Sequence, residues 1–420
     1  MLKRIIKTSF FSLGSRGFLT LTNLVIMYAV SHKLGEKKMG VYAISAFMYY
    51  LFSFFTSFEL TTYFGKEVAH LRDRQEELKK LLGEIATTFI FGLGLSLIVL
   101  LILWQTYGKL STDILLISAL SGVLFGLEKN LSGVLLGQEK MYIEFWVQLV
   151  SFVMVAIPSF YLAVKLDIIG LCWLRVGASA VTIVLRLHYA GVWFLFKQKV
   201  RLTFSNWKEV SFFSASGFAT FIQYHVDLYI ISFLVTVEQE GAYFLALRIF
   251  FSFCLLAEIT SLALTPYISR VYRNKEGDKF GEKAAFDTFY NKILLNGVLL
   301  GIVASVTLFL TRDVVVAFFA KPTDNRILTG DYLFYFSFFL FFRFVSFYAG
   351  DVLTATRYQN LRFYILLSSS ALMIGLEIIL GRLFSIYGII CTRAVIELLL
   401  FTTYLIVIAR IRAKAKLGKM

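Results

Sequence analysis

Long apolar stretches alternate with short polar segments, many of them basic, from one end of the chain to the other. Because a helix needs about 20 apolar residues to cross a bilayer, this pattern predicts an all-α, polytopic membrane protein. The alternative, a large soluble helical protein, lacks the polar half that would cover so much apolar surface. We predict twelve transmembrane helices, at 9–31, 39–64, 82–104, 113–136, 142–164, 168–193, 209–235, 241–267, 287–310, 330–355, 363–381 and 386–409.

Two short sequence landmarks occur twice at nearly equal spacing. The string SFFS at 9–12 returns at 211–214, and a Gly-x-Tyr string begins at Gly40 and again at Gly241. Six predicted spans separate the copies, so both copies would enter the membrane in the same direction. This predicts two parallel six-helix bundles, 1–205 and 206–420, with a substrate path between them and alternating access.

The composition is that of a membrane protein, and the sequence contains few residue patterns typical of an enzyme. The 420 residues are 58% apolar, 17% aromatic and 16% charged, with a mean hydropathy of +0.74, whereas a soluble domain is about 25% charged. Cys172, Cys254 and Cys391 each lie in an apolar run and indicate no disulfide framework. The histidines are scattered and no Walker-type glycine loop occurs. We therefore expect no catalytic residue, metal or cofactor, and a transporter rather than an enzyme.

Positive charge predicts the orientation in the membrane. Of the 42 Lys and Arg residues, 25 fall in segments that are cytoplasmic if the N-terminus is inside, 9 fall on the opposite side, and 8 lie within spans. The positive-inside rule then places both termini in the cytoplasm and predicts a multi-pass protein of the cytoplasmic (inner) membrane. The basic start MLKRIIK is interpreted as the flank of a retained first helix, not as a signal peptide. Contact with anionic lipids accounts for the net charge of +15, so no nucleic-acid partner is needed.

Basic residues inside the spans are candidates for binding an anion, because each costs about 3 kcal/mol at a helix centre. On span 168–193, Arg175 and Arg186 share one helical face with Ser179 and Thr182, and are about 16 Å apart along the axis. The alternative for each base is a structural ion pair with a neighbouring carboxylate. The predicted substrate-binding residues are Arg16, Arg175, Arg186, Arg248 and Arg343.

Acidic residues inside the spans are candidates for coupling to an ion. Glu59 and Glu258 follow their respective glycine landmarks by 19 and 17 residues, so they are near-equivalents in the repeat. Asp227 is in the middle of a span, one turn after Gln223. A buried carboxylate favours binding H⁺ or Na⁺, which is the coupling hypothesis. The alternative is that each acid only compensates an arginine.

Several stretches resemble the MATE-like superfamily of polysaccharide exporters, in particular the Wzx-type flippases of O-antigen and other lipid-linked oligosaccharides. These are SLGSRGFLTLTN, LGEKKMGVYAIS, SFFTSFELTTYFGKEVAH, YHVDLYIISFLVTVEQEGAYFLALRI and LTPYISRVY. The resemblance is weakest in the C-terminal third, and Leu60 follows Glu59 where the family often has glycine. It implies a MATE-like fold of twelve helices.

The resemblance also implies a function. The expected substrate is an undecaprenyl-diphosphate-linked oligosaccharide, an O-antigen or capsule repeat unit, moved from the inner to the outer leaflet. Membrane lipids, H⁺ or Na⁺, and other polysaccharide assembly proteins are the expected further partners. One alternative is a cation-coupled multidrug exporter of the same fold. The other is a membrane glycosyltransferase or polymerase, although the longest predicted outer loop, 311–329, offers only the unsupported pair Asp313 and Asp324.

Overall fold

The structure is a computed structural model that describes residues 2–71, 74–106, 111–192, 207–273, 287, 293–320, 324–356 and 358–416. Within these ranges the chain is helical and contains no strand, which confirms the all-α prediction. The helices are α1 (Leu2–Lys33), α2 (Glu36–Ser57), α3 (Thr61–His70), α4 (Gln75–Thr106), α5 (Thr112–Gly137), α6 (Met141–Ala190), α7 (Trp207–Leu234), α8 (Val237–Arg273), α9 (Leu294–Phe319), α10 (Asp324–Ala355) and α11 (Gln359–Lys416).

Nine helical stretches of the described residues are long and apolar enough to cross a membrane. Two of them, in α6 and α11, have 50 and 55 residues. At 1.5 Å per residue each would be about 75 Å long if straight, more than twice the hydrocarbon thickness. Each of these helices corresponds to two of the predicted spans. The total of twelve transmembrane helices stays a prediction.

Helix α6 doubles back on itself at Asp167. This residue has left-handed backbone angles (φ 58°, ψ −151°), and a Cβ on the nearby Gly170 would meet the Leu166 side chain at 2.6 Å. A side-chain contact proves the reversal, since Arg186 Nη2 lies 2.8 Å from Glu144 Oε1 although 42 residues separate them. The two arms, 141–166 and 168–190, therefore lie side by side, as the two predicted spans required.

Helix α11 has a kink of the same kind at Ser385 (φ 55°, ψ −135°). Gly388 follows at the same three-residue distance, and a Cβ there would meet the Leu380 carbonyl oxygen at 1.9 Å. Both kinks have the sequence order left-handed residue, Ile, any residue, Gly, and they are 218 residues apart. This is a third pair of landmarks in the internal repeat, in addition to SFFS and Gly-x-Tyr.

The predicted span 39–64 is broken in the structure between α2 and α3. Phe58 (φ 48°) and Glu59 (φ 54°) are both left-handed, which costs about 1–2 kcal/mol for each residue that is not glycine. The break directs the Glu59 carboxylate to Lys129 on α5. It also places Glu59 against Gly217 of α7, where an added Cβ would lie only 2.2 Å from the Glu59 Cβ. Packing of Glu59 therefore offsets the local strain.

The chain divides into two compact units, Met1–Tyr229 and Ile230–Met420. The first unit includes most of α7 because α7 side chains contact α2 and α3. Phe218 lies 5.3 Å from Phe54 between ring centroids, and Glu209 forms an ion pair with Lys66. The predicted division into 1–205 and 206–420 stays a prediction.

Helix α5 is the central helix of the first unit and packs against α2, α3 and α6. Four glycines line its contact with α2 and α3: Gly122, Gly126, Gly133 and Gly137. A Cβ on Gly133 would lie 2.4 Å from the Thr61 carbonyl oxygen, and one on Gly137 would lie 2.6 Å from that of Gly65. Small residues of this kind let two membrane helices approach closely.

In the second unit, α10 packs against α8, α9 and α11. An aromatic core forms where α8 meets α10, with Phe250 and Phe336 ring centroids 5.3 Å apart. The predicted outer loop 311–329 is wrong in length, since α9 continues to Phe319 and α10 starts at Asp324. Apolar residues such as Val314 and Phe318 extend the helix beyond the predicted boundary.

We predict that Gly133→Ala destabilises the protein. Its new methyl group must displace the α3 backbone, and overpacking of this kind typically costs about 1–3 kcal/mol. Gly177→Ala on α6 is the matched control, because nothing lies within 4 Å of a Cβ at that position. Thermal unfolding of the purified protein measures both variants. A Gly133→Ala variant as stable as Gly177→Ala would contradict the proposed close packing.

Candidate functional site

Arg175 is the most unusual charge in the first unit. It lies on the second arm of α6, 8% exposed, between α1 and α2. Its Nη2 atom donates to the Tyr42 hydroxyl and, at 3.3 Å, to Asn23 Oδ1. Its guanidinium carbon also lies 5.2 Å from the centroid of the Tyr42 ring and 4.7 Å from that of Tyr49. All of these partners are neutral.

The Arg175 guanidinium therefore keeps N–H donors that no acceptor uses. Within the described part of the chain no carboxylate lies within 4 Å of it, and its Nε and Nη1 atoms have no hydrogen-bond acceptor. Cation–π contacts and neutral hydrogen bonds recover only part of what burying an arginine costs. An anion with two oxygens would complete its hydrogen bonding, because the guanidinium presents its donors as a planar fork.

A line of polar side chains leads away from Arg175. Asn23 Nδ2 lies 3.5 Å from the Tyr50 hydroxyl, and the Tyr50 ring stacks on His225 of α7 with centroids 4.2 Å apart. Asn23, Tyr50 and His225 are all half-buried, in contrast to Arg175 itself. These groups place a wall of polar atoms and aromatic rings beside the cation.

Arg186 lies on the same arm of α6 but its charge is fully compensated. Its Nε and Nη2 atoms donate to both oxygens of Glu144, at 3.0 and 2.8 Å, and its Nη1 donates to Glu128 at 2.8 Å. Gln148 donates to Glu144 as well, at 3.1 Å. Arg186, Glu128 and Glu144 are 1%, 5% and 3% exposed. Arg186 was predicted to bind substrate, but all three of its side-chain nitrogens donate to carboxylates of this cluster.

Arg343 of the second unit is also in an ion pair. Its Nη1 lies 3.0 Å from Glu397 Oε1 on the second arm of α11, and its guanidinium carbon lies 4.8 Å from the Phe347 ring centroid. Arg393 lies one turn before Glu397, with its guanidinium carbon 5.4 Å from the Phe251 ring centroid. The Arg343–Glu397 pair therefore joins α10 to the second arm of α11 by its contact with Glu397, whereas Arg186 binds two carboxylates.

The other two predicted bases are half-buried in separate units. Arg16 lies on α1, in the first unit. Arg248 lies on α8, in the second unit, with its guanidinium carbon 5.0 Å from the Phe244 ring centroid. Their predicted contact with substrate stays a prediction.

The predicted coupling acids occupy three different environments. Glu59 forms an ion pair with Lys129, and both side chains are about a quarter exposed. Asp227 is fully buried, and its Oδ1 accepts a hydrogen bond of 2.9 Å from the Leu228 backbone N–H. Glu258 is half-buried on α8 of the second unit. Their coupling role stays a prediction.

Sequence reasoning did not single out Glu128 and Glu144 as site residues. Both lie within predicted spans, where a carboxylate is as costly as an arginine. The burial of a charge in a span would therefore have selected them from the sequence. Their common partner could not be recognised, because Arg186 meets Glu144 only after α6 has doubled back.

The sequence matches no protein-family model and no curated protein. Solved structures do resemble it. An inward-facing multidrug-resistance MATE transporter of the MOP superfamily superposes with a TM-score of 0.69 at 13% identity, over 94% of this chain and 95% of that chain. The lipid II flippase MurJ in an inward closed conformation gives a TM-score of 0.67 at 14% identity, over 97% and 91% of the two chains.

A third structure is a MOP superfamily transporter from Pyrococcus furiosus that is described as having a binding pocket of reverse polarity. It gives a TM-score of 0.61 at 14% identity, over 98% of this chain and 96% of that chain. The chain has the MOP-superfamily fold. This confirms the expected MATE-like architecture. Because members of the MOP fold differ in what they carry, the substrate has to be argued from the side chains.

We predict that the two arginines of α6 differ in their effect on stability when each is replaced by alanine. Arg186→Ala leaves two buried carboxylates without their cation and should cost about 3–5 kcal/mol of stability. Arg175→Ala removes a buried charge that has only neutral partners, so it should leave the protein folded. Thermal unfolding and expression level measure both effects.

A rescue variant tests the assigned partners of Arg186. Arg186→Met combined with Glu128→Gln and Glu144→Gln removes all three charges and should recover most of the lost stability. If Arg186→Ala alone were as stable as the wild-type protein, the cluster would not be structural.

Proposed function

We propose that this protein is a flippase that moves an undecaprenyl-diphosphate-linked oligosaccharide from the inner to the outer leaflet of the cytoplasmic membrane. The oligosaccharide would be an O-antigen or capsule repeat unit, and other polysaccharide assembly proteins would act before and after it. In this proposal both termini are cytoplasmic, and transport involves no covalent chemistry.

The single observation that carries the proposal is the uncompensated guanidinium of Arg175. A diphosphate is an anion whose oxygens match the arginine fork, and Nε and Nη1 are the donors that remain for it. The polar wall formed by Asn23, Tyr50 and His225 suits a hydroxyl-rich group attached to that anion. A cationic drug would be repelled by Arg175, which disfavours the multidrug alternative.

The membrane potential supports the proposed direction. Moving two negative charges outward, with the inside negative, is favoured by about 4.6 kcal/mol per 100 mV. The empty transporter must then return, and a carboxylate that binds H⁺ or Na⁺ would lower that barrier by neutralising its own charge. This step makes the proposed transport both voltage-driven and ion-coupled.

We predict that Arg175→Ala lowers flipping of the lipid-linked oligosaccharide by about 10- to 100-fold, the value of charge-assisted hydrogen bonds. Arg175→Lys should restore only part of the activity because it lacks the fork. The assay is transport by the purified protein in liposomes. Arg312→Ala on α9 is the matched control, since Arg312 already contacts Asp313 and two Phe rings. Normal flipping by a folded Arg175→Ala protein would exclude the proposed site.

A second prediction concerns Asp227. If Asp227 binds the coupling ion, Asp227→Asn should fold normally but lose the dependence of flipping on pH or sodium. If Asp227 instead compensates a nearby arginine, Asp227→Asn should lower the amount of folded protein. Liposome flipping at several pH values, with and without sodium, is compared with thermal stability. Wild-type flipping that is insensitive to both ions would remove the coupling hypothesis.

A further inference from the structure

The two arms of α11 leave a groove between them, on the side of the helix where the chain enters and leaves it. The groove is a cavity of about 310 Å³, lined by residues between 364 and 372 of the first arm and between 399 and 403 of the second. Ser369 and Leu400 are 8% and 2% exposed and form its floor, whereas Tyr364 and Leu372 at its rim are exposed. A cavity of this size is a candidate binding site at the surface of the second unit.

The lining of the groove is apolar in its chemistry. Ser368 Oγ donates to the Tyr364 carbonyl oxygen at 2.7 Å, and Ser369 Oγ donates to the Leu366 carbonyl oxygen at 2.9 Å. Both hydroxyl hydrogens are therefore used within the helix, and no charged side chain lines the groove. An ion or a sugar would lose hydration there without gaining partners, so the lining suits a hydrocarbon chain.

A basic residue follows the groove on the same face of the second arm. Leu399, Thr403 and Arg410 are spaced by four and seven residues, which places all three on one side of the helix. At 1.5 Å per residue, Arg410 lies about 10 Å beyond Thr403 along the axis. Arg410 is exposed and comes directly after the predicted span 386–409, which is the level of the lipid headgroups.

Arg410 differs from the two other arginines near this end of α11. Arg362 forms an ion pair with Asp351 at 3.0 Å, and Arg412 forms one with Asp287 at 2.6 Å. Within the part of the chain that the structure describes, Arg410 has no carboxylate within 4 Å and no hydrogen-bond acceptor. Its charge is therefore available to an anion at the membrane surface.

We propose that the groove holds one acyl chain of an anionic phospholipid, such as phosphatidylglycerol, whose phosphate binds Arg410. The hydrocarbon of one leaflet is about 15 Å deep, so a chain that starts at a headgroup beside Arg410 passes the groove about 10 Å further in. Anionic phospholipids are constituents of the cytoplasmic leaflet, where the predicted orientation places this end of α11. The groove is thus in contact with bilayer lipids at all times, and the arginine selects among them by charge.

A bound chain would also stabilise the doubled helix. It would fill the space that the small side chains Ser368 and Ser369 leave between the two arms, and so restore the packing contacts that an empty groove lacks. The site lies entirely on α11 and involves no transported substrate. It therefore stands whether or not the proposed flippase function is correct.

The test is photolabelling of the purified full-length protein in liposomes of phosphatidylcholine. The liposomes contain a trace of phosphatidylglycerol or of phosphatidylcholine with a photoreactive diazirine midway along one acyl chain. After illumination, peptide mass spectrometry measures the label on residues 364–372 and 399–403. For the wild-type protein we expect about fivefold more label in the groove from phosphatidylglycerol, the value of one basic residue at an anionic surface.

Three variants identify the groups responsible. Arg410→Gln should make the labelling by the two lipids equal, because it removes the charge that selects the headgroup. Arg382→Gln is the matched control, since Arg382 is an exposed arginine at the opposite end of the two arms, and it should keep the fivefold preference. Ser368→Phe fills the groove from an exposed position and should lower the label on 399–403 from both lipids.

Several results would overturn the inference. Equal labelling of the wild type by the two lipids would show that the groove only borders the bilayer. A groove that neither lipid labels would be covered by another segment of the chain or by a second copy. A preference that survives in Arg410→Gln, or that Arg382→Gln loses as well, would show that Arg410 does not hold the headgroup. The Arg410 comparison decides the question even if Ser368→Phe fails to fold.

Discussion

A buried charge in a membrane protein has to be compensated by a partner brought from elsewhere in the chain, and this constraint organises both units. In the first unit Arg186 of α6 binds Glu128 of α5; in the second, Arg343 of α10 binds Glu397 of α11. In the first unit the pair joins the second arm of α6 to α5, and in the second unit it joins the second arm of α11 to α10. The sign of the charges is reversed between the two, so the repeat has kept the ionic connection without keeping the residues.

Arg175 is a buried arginine without a carboxylate partner among the described residues, and it has an equivalent in the internal repeat. It follows Gly170 by five residues, and Arg393 follows Gly388 by the same distance. The two arginines are therefore equivalent in sequence, after equivalent kinks. Arg393 is buried beside Phe251, one turn before an ion-paired glutamate, whereas Arg175 is surrounded by Tyr and Asn side chains. Neutral surroundings hold a guanidinium in place while leaving its charge available to a ligand.

Hydropathy predicted the doubled helices well because polar residues interrupt the apolar runs where the chain reverses, at Lys165 and Asp167 and again at Arg382 and Ser385. It could not predict the break at Phe58 and Glu59. Neither residue favours a left-handed backbone, so packing against α5 and α7 decides the conformation. The ionic partners of Arg186 were unpredictable for a similar reason, since they become neighbours only in the folded chain.

Arg175 and Arg186 lie on one face of α6, but the structure gives the two residues different surroundings. Eleven residues along the arm, the face passes from α1 and α2, which supply neutral groups, to α5 and the first arm of α6, which supply carboxylates. Arg186 at one end of the face therefore has a structural role, and Arg175 at the other end is a candidate binding residue. The two roles depend on each other, because an arm fixed by three charge-assisted hydrogen bonds at Arg186 can hold Arg175 in place without a carboxylate of its own.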